Sequence, residues 1–438
     1  MRRARSRLLA VTIVSACGFS TQLLGGDPDA QTADAGPCAE LGDTCVGSAL
    51  QRCVTKDQQP TVEACAWGCV DAPSPHCGAV VPGGALLPSD LVDDPRLQDI
   101  VINAESFNSD DGSISGVRAG TPGYAAGIEF VRRGNVGVFR VRNLTLDGAI
   151  AVAGSSAIAI VALGTITVHG AIDVQGTCSG SNAGPGGTRG GTGGMKAPGT
   201  GGGNGGLGGA GTCSGGAGGA YGALGGSGGA SNAQPARPAP GTVTSNPTVA
   251  MLAGGAGGGG GGGEVGNRGQ GGGGGGAMQL FATGGIVFTA GSIRSAGGCG
   301  GNPGQNNSCG GGGGAGGAIL LEGPTITLAS DTKLAVNGGG GGGGNGGAGE
   351  DGQLSLARAS KGASGGVQTG EGGSGGASDG LAGLPGQTAN NAPGGGGGGV
   401  GWIRFHTLSG SAAINGALLS PRLTDPATTT TQGTLTLQ

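Results

Sequence analysis

The chain has 438 residues, of which 114 are glycine, 11 % are charged and 3 % are aromatic. About a quarter of the chain (114 of 438) has no side chain to pack, which excludes an ordinary globular enzyme. The 21 prolines are too few for collagen, and no strict Gly-X-Y period is present. With 22 Lys and Arg against 26 Asp and Glu, the net charge of −4 gives no long-range attraction to nucleic acid, which we do not expect as a partner.

The amino terminus predicts export. Residues 1–16, MRRARSRLLAVTIVSA, combine four early arginines with a short apolar stretch, which is the pattern of a signal peptide. The small residues Val14 to Ala16 before Cys17 resemble a bacterial lipobox. That resemblance implies acylation of Cys17 and an anchor in the cell envelope, with the outer membrane as the expected location. An ordinary signal peptide with a free cysteine is the alternative. Residues 17–37 are then expected to be a flexible, lipidated tether.

A second membrane span is not predicted. Residues 149–168 carry no charge and are long enough to cross a bilayer. However, Ile158 and Ile160 alternate with small residues, and glycines and serines interrupt the segment. This alternation predicts short strands and not a helix.

Residues 38–78 predict a small module that is held together by disulfides. Such a short segment cannot bury a sufficient core, and an exported chain favours oxidised cysteines. A zinc site is the alternative, but no Cys-x-x-Cys pair is present. The cysteine spacing, with a closing Gly-Cys dipeptide at Gly68-Cys69, resembles that of small cysteine-rich modules in secreted proteins of myxobacterial type. The module contains six cysteines, for which 15 pairings remain open: Cys38, Cys45, Cys53, Cys65, Cys69 and Cys77.

Beyond about residue 136 the chain repeats a unit of three short alternating strands. Stacked units of this kind would pair their strands in parallel and share one narrow aliphatic core. We therefore predict an all-β fold, a right-handed parallel β-solenoid over 136–420, with an antiparallel sandwich as the alternative. Residues 79–135 are expected to be a linker and entry cap, and 421–438 a tail. The repeats cover 138–154, 157–176, 277–298, 318–339 and 402–419.

Three glycine-rich excursions leave the predicted solenoid after the third strand of a unit, at 176–276, 297–317 and 338–399. They are either disordered loops or polyglycine II, an extended helix with three residues per turn. Four cysteines lie in or beside the first two excursions. We predict the disulfides Cys178–Cys213 and Cys299–Cys309. Each would close a loop and stabilise the fold by about 3 kcal/mol in the chain-entropy model.

The excursions resemble the packed polyglycine of certain phage tail-fibre tip adhesins and of glycine-rich antifreeze proteins. Taken whole, the chain resembles glycine-rich surface lipoproteins of myxobacterial type. This resemblance implies an envelope location and little chemistry. Ice binding is a weaker alternative, because the residues between the glycines are irregular.

The sequence predicts no catalytic, cofactor or metal site. His76, His169 and His406 lie in three different units, where exposed turns are expected. The segment around Asp110 and Asp111 lacks the later ligands of an EF-hand. No GxxxxGK[ST] motif occurs, so nucleotide binding is not expected. The charged residues of the repeats do not share one column in the sequence pattern and are expected in solvated turns: Asp147, Asp173, Arg294, Glu322, Asp331 and Lys333.

The function expected is that of a non-enzymatic cell-surface lipoprotein, structural or adhesive, that presents glycine-rich loops. Its expected partners are the membrane, through the lipid on Cys17, and surface glycans or other cells. The alternative is a β-helix enzyme acting on polysaccharide.

Overall fold

The computed structural model describes residues 37–438 apart from 104, 179–181, 210–211, 265–267 and 302–307. Two compact units divide at residue 78, and the second comprises 79–438. The predicted signal peptide, Cys17 and nearly all of the predicted tether lie outside the described residues.

The first unit is a small antiparallel module stapled by three disulfides. Leu50 is fully buried, and otherwise the module buries little besides its cysteines. Cross-links therefore replace a hydrophobic core, as expected for a segment of this length. Its strands are β1 (Gly42–Val46), β2 (Ala49–Cys53), β3 (Thr61–Ala64), β4 (Cys69–Val70) and β5 (His76–Cys77). The pairings left open by the sequence are Cys38–Cys53, Cys45–Cys69 and Cys65–Cys77.

The second unit is also built from strands, with one short 3-10 turn at Pro88–Leu91. Among the described residues there is no helix with the length and apolarity that spanning a bilayer requires. The strands up to the first excursion are β6 (Val80–Val81), β7 (Ile100–Asn103), β8 (Ser106–Asn108), β9 (Gly123–Ala125), β10 (Ile128–Arg133), β11 (Val136–Val141), β12 (Leu144–Asp147), β13 (Ala149–Ala153), β14 (Ala157–Ala162), β15 (Thr165–Val168) and β16 (Ala171–Asp173). The later strands are β17 (Ala277–Ala282), β18 (Gly285–Phe288), β19 (Ser292–Arg294), β20 (Ala318–Glu322), β21 (Ile326–Leu328), β22 (Lys333–Ala335), β23 (Trp402–Thr407), β24 (Leu418–Ser420), β25 (Thr430–Thr434) and β26 (Thr436–Leu437).

Three mainly parallel sheets hold these strands, apart from β6 and β26, which pair with each other. Their orders are β25-β23-β20-β17-β14-β11-β10-β9, β21-β18-β15-β12-β7 and β24-β22-β19-β16-β13-β8. Successive repeats place their first strand in the eight-stranded sheet, their second in the five-stranded sheet and their third in the six-stranded sheet. In the last repeat a single parallel bridge, Thr327 with Ala413, stands where the second strand would be. The predicted all-β class and the parallel pairing are confirmed.

The register stacks the apolar side chains of the repeats in columns. Ile158, Met278, Ile319 and Ile403 are consecutive partners across the eight-stranded sheet, and all are buried. Comparable columns in the other two sheets face the same hydrophobic cluster. The strands predicted within 149–168 are confirmed as β13, β14 and β15, and their apolar residues belong to these columns.

Both ends of the repeat array differ from the sequence prediction. Strands β7 and β8 already pair in parallel with β12 and β13, so the array begins before residue 136. The 19 residues between β8 and β10 form a loop and the short strand β9, and this insertion hides the periodicity in the sequence. At the other end, the tail forms β25, parallel to β23, and β26, antiparallel to β6.

The three excursions pack on one another through backbone hydrogen bonds. In segment 310–317 every third amide donates to the same neighbouring segment. Gly310, Gly313 and Gly316 donate to 393–399; Gly311, Gly314 and Gly317 donate to 295–301; Gly312 and Ala315 donate to 256–259. These eight N···O distances are 2.8–3.1 Å. The carbonyls of the same segment accept from three further neighbours, 216–219, 272–275 and 339–342.

Segment 310–317 is thus surrounded by six neighbours drawn from all three excursions. We call the hydrogen-bonded segments 214–222, 254–263, 271–276, 310–317, 338–344 and 394–401 the glycine lattice. A period of three residues per neighbour is what a threefold extended helix produces, since successive amides point 120° apart.

The predicted disulfides Cys178–Cys213 and Cys299–Cys309 are wrong. The structure joins Cys178 to Cys299 and Cys213 to Cys309, across sequence separations of 121 and 96 residues. The prediction assumed that each excursion folds on itself, which favours the shortest loops. Because the excursions lie side by side, cysteines of different excursions meet instead. In the chain-entropy model, a disulfide that closes a loop of this length stabilises the fold by about 4–5 kcal/mol, more than the predicted disulfides would.

Candidate functional site

The glycine lattice allows no side chain at many of its interior positions. A Cβ added to Gly312 would lie 2.0 Å from the carbonyl oxygen of Ala217, and one added to Gly398 would lie 1.9 Å from that of Gly314. Real Cβ contacts are essentially never shorter than 3.0 Å. Glycine is therefore required at these positions because neighbouring backbones approach too closely for a side chain. The lattice is a tightly packed body with few buried side chains, among them Ala217 and Ala315.

One part of this perimeter projects polar side chains from a hydrogen-bonded turn, which we call the excursion tip (366–371 and 387–391). The Nδ2 of Asn391 donates to Gln368 Oε1 at 2.9 Å, and the backbone amide of Asn391 donates to the Gln368 carbonyl. The backbone amide of Glu371 donates to Gln387 Oε1 at 3.0 Å. Beside these amides, Val367 is 92 % exposed. The tip thus presents fixed amides and one exposed aliphatic group.

A second candidate is a buried polar cluster on the eight-stranded sheet. Glu322 on β20 and His406 on β23 are partners in register, and Glu322 is 1 % exposed. His406 Nδ1 lies 2.7 Å from Glu322 Oε1, and Gln279 Nε2 donates to Glu322 Oε2 at 2.6 Å. The amide of Gly83 donates to both carboxylate oxygens at 3.1 Å. A cleft of about 370 Å³ adjoins this cluster.

The hydrogen bonds of His406 define its protonation. Arg404 Nε donates to His406 Nε2 at 2.8 Å, so Nε2 carries the lone pair and Nδ1 carries the proton given to Glu322. Burial lowers the pKa of Arg404, against the opposing effect of Glu322, and guanidinium remains the donor at neutral pH. The imidazole nitrogen that general-base catalysis would need is already occupied. The cluster therefore anchors the Gly83 segment to the sheet.

The charged residues of the repeats were expected in solvated turns without a shared column. Glu322, which is buried on β20, contradicts the first part of this expectation, and two pairs contradict the second, although His169 is exposed as expected. His169 Nδ1 lies 2.6 Å from Asp147 Oδ1, and Arg294 Nη2 donates to Asp173 Oδ2 at 2.5 Å. Each pair joins equivalent positions of neighbouring repeats, which the sequence alignment of the repeats could have shown. Two further charged residues, Asp331 and Lys333, are exposed as expected. In the first unit, His76 Nδ1 lies 2.7 Å from the Ser74 carbonyl oxygen.

The carboxylates of the Asp110 segment are engaged by protein donors. Ser156 Oγ donates to Asp110 Oδ1 at 2.7 Å, and the Ser155 amide donates to Asp110 Oδ2 at 2.7 Å. Burial raises the pKa of Asp110, but the hydrogen bonds from Ser156 and Ser155 outweigh it and lower the pKa overall. The segment fastens the turn before β14.

Three atoms of metal-ligating type converge at the Cys178–Cys299 disulfide. The two sulfurs and a carboxylate oxygen of Asp351 lie within 4.8 Å of one another. Because the sulfurs are bonded to each other, neither is a thiolate ligand. Asp351 Oδ1 instead accepts the amide of Cys299 at 2.8 Å, and burial raises the pKa of this carboxyl.

Comparison with protein-family models, with curated proteins and with solved structures finds no match to this chain.

Proposed function

We propose that this protein is a non-enzymatic surface protein, structural or adhesive, that presents a rigid glycine lattice to the outside of a cell. The observation that carries the proposal is the interleaving of three excursions into one hydrogen-bonded body. Together the excursions span 184 residues, as the sum of 101, 21 and 62. A chain that needs only a catalytic cleft would have no use for so large a side-chain-poor structure.

The architecture proposed for this body has two parts. The three sheets are three faces of a right-handed parallel β-solenoid, since each repeat supplies one strand to each sheet and parallel connections favour the right-handed sense. The lattice is polyglycine II, in line with the period of three residues per neighbouring segment.

The presenting mechanism is recognition by shape with little loss of conformational entropy. Side chains at the excursion tip, such as Gln368 and Asn391, are already held by hydrogen bonds. A partner that binds them does not have to order a flexible loop, which otherwise weakens binding. Surface glycans and the surfaces of other cells are the proposed partners, because the tip offers amides and backbone groups with little charge.

Attachment to the envelope completes the proposal. The signal peptide (1–16) would direct export, and acylation of Cys17 would hold the protein in the outer membrane. A processed bacterial cysteine carries several acyl chains, each contributing about 0.8 kcal/mol per buried methylene. The tether (17–37) would then separate the folded part of the chain from the membrane.

The experiment compares two glycine variants on beads coated with the oxidised protein. Gly398→Ala places a methyl 1.9 Å from the Gly314 carbonyl oxygen, whereas Gly347→Ala finds nothing closer than 3.9 Å. We expect wild-type and Gly347→Ala beads to agglutinate intact Gram-negative cells, and Gly398→Ala beads to lose this activity. Slow amide exchange in β14 and β17 must be retained in Gly398→Ala, so that the lost adhesion reports the lattice.

Two results would contradict the proposal. One is absence of agglutination by the wild-type protein over a panel of cells and immobilised glycans. The other is release of reducing ends from a polysaccharide by the wild-type and Gly398→Ala proteins alike, which would favour an enzyme on the sheet surface.

A further inference from the structure

The first excursion lines a cleft of about 460 Å³ at the surface of the second unit. This volume is in the range of small-ligand sites, about 300–1,000 Å³. Lys196 and Arg237 contribute cationic groups, Asn204 an amide, and Leu207 and Pro238 apolar walls. Leu207 is 59 % exposed, although it is a large aliphatic side chain.

The two cations of this cleft have no acidic partner in the described part of the chain. Neither Lys196 nor Arg237 has a carboxylate oxygen within 4.0 Å of its nitrogens there. Arg237 Nη2 donates to the Gly386 carbonyl, which positions the guanidinium. Beside the cleft, Arg268 Nη1 donates to the Gly193 carbonyl at 2.9 Å, so a third cation lies nearby.

The charge of the first excursion is opposite to that of the third. Residues 176–276 contain four basic side chains and one acidic, 4 − 1 = +3, whereas 338–399 contain two basic and four acidic, 2 − 4 = −2. A cleft in the third excursion contains Lys361, but Glu371 Oε2 lies 2.5 Å from its Nζ. The cations of the first excursion are therefore available to a ligand, and Lys361 serves as a matched control.

We propose that this cleft binds acidic polysaccharide, with a uronate carboxylate held by Lys196 and Arg237. The inference rests on the proposed adhesive function and names its ligand class. Carboxylates pair well with guanidinium and ammonium groups. The C–H face of a pyranose ring would pack on Leu207 and Pro238, and its hydroxyls would bond to Asn204. Nucleic acid is a poorer fit, because the whole chain carries a net charge of −4 and these lining side chains include no aromatic ring for base stacking.

The test measures binding of tetragalacturonate to the full oxidised protein by titration calorimetry. We expect binding that weakens as salt is added, because exposed charges are screened. In the double variant Lys196→Ala, Arg237→Gln the dissociation constant should rise about fivefold or more. Lys361→Ala, which also removes one positive charge, should leave it unchanged, and Arg237→Lys should retain most of the affinity. An unchanged melting temperature in each variant shows that folding is intact.

Four outcomes would overturn the inference. They are no binding of tetragalacturonate, equal binding of neutral maltotetraose, equal binding of a single-stranded oligonucleotide of the same charge, and an unchanged dissociation constant in the double variant. If tetragalacturonate does not bind while wild-type beads still agglutinate cells, only this inference fails. If agglutination fails and the cleft still binds tetragalacturonate, the adhesive function fails and the cleft stands as a glycan site.

Discussion

At the scale of single residues, glycine acts here as a packing residue. A Cβ added to Gly395 would lie 2.0 Å from the carbonyl oxygen of Gly311. A Cβ added to Gly310 would lie 1.9 Å from the carbonyl oxygen of Gly342. The carbonyl groups that would clash belong to neighbouring segments that are distant in sequence. Replacing such a glycine therefore separates two segments and weakens more than one hydrogen bond.

The first prediction compares the stability of the same two alanine variants. Gly398→Ala is expected to reduce the free energy of unfolding by about 1–3 kcal/mol or more, as overpacking of a core does, and to lower the apparent melting temperature. Gly347→Ala is expected to leave the free energy of unfolding unchanged or to raise it by up to about 1 kcal/mol, because alanine reduces the conformational entropy of the unfolded chain. Thermal unfolding followed by circular dichroism measures both. Equal melting temperatures for Gly398→Ala and the wild type would show that the lattice is not closely packed.

A second prediction concerns the two tyrosines. Burial and a 2.6 Å hydrogen bond to Asp94 Oδ2 raise the pKa of Tyr124 to about 12. Burial likewise raises the pKa of Tyr221, against the lowering effect of Asn246. Both folded-state pKa values lie above the ordinary value of about 10. The stability contributed by Tyr124 is therefore complete below pH 10 and is lost as the pH rises through about 12, and the contribution of Tyr221 is likewise lost above pH 10.

Ultraviolet absorbance titration of phenolate tests this. At pH 10.5, about half a unit above the ordinary tyrosine pKa, the folded protein should be less ionised than the denatured chain, which should titrate near 10. The Tyr124→Phe variant isolates Tyr221. A folded protein in which both tyrosines ionise near pH 10 would contradict the assignment.

At the scale of elements, the repeats place residues that are far apart in sequence on neighbouring strands. Glu322 and His406 are 84 residues apart, and the third excursion lies between them. Aligning the repeats without their excursions brings the two residues into register. The charged residues were expected to share no column, whereas Glu322 and His406 occupy equivalent positions of neighbouring repeats.

The third prediction follows from the cross-links between excursions. Digestion of the oxidised protein, followed by mass spectrometry without reduction, should yield the linked peptides Cys178 with Cys299 and Cys213 with Cys309. Reduction should release all four peptides. Recovery of a peptide pair joining Cys178 to Cys213 would instead mean that each excursion folds separately.

At the scale of the whole molecule, the glycine lattice and the sheets form one unit of hydrogen-bonded backbone. Each amide from Gly310 to Gly317 donates to a carbonyl of another segment. The lattice therefore resembles a protein core in its density of contacts, but its contacts are between backbones instead of apolar side chains.

The fourth prediction is slow amide exchange throughout the lattice. Peptides covering 310–317 and 394–401 should exchange as slowly as those of β14 and β17, because their amides are bonded and buried. The exposed turn 54–56 should exchange quickly and serves as the internal control. Immediate exchange in 310–317 with slow exchange in β14 would show that the excursions are disordered, and would also remove the basis of the proposed function.

The sequence by itself determined the parts of the fold that depend on side-chain patterns. Alternating apolar residues identified the strands of the repeats, and the crowded cysteines identified a small disulfide module. The high glycine content showed that about a quarter of the chain has no side chain to contribute to a core. These features are local, because each depends on residues within a few positions of one another.

Only the tertiary structure decided which segments are neighbours in the lattice, which cysteines pair between the excursions and which charged residues meet. Runs of glycine have no side-chain pattern that could distinguish one partner from another. Their partners are selected by where the stacked repeats release and receive the chain, so Cys178 meets Cys299 across 121 residues. The same stacking buries Glu322 beside His406. Their pairing depends on the register between two strands and cannot be read from either strand alone.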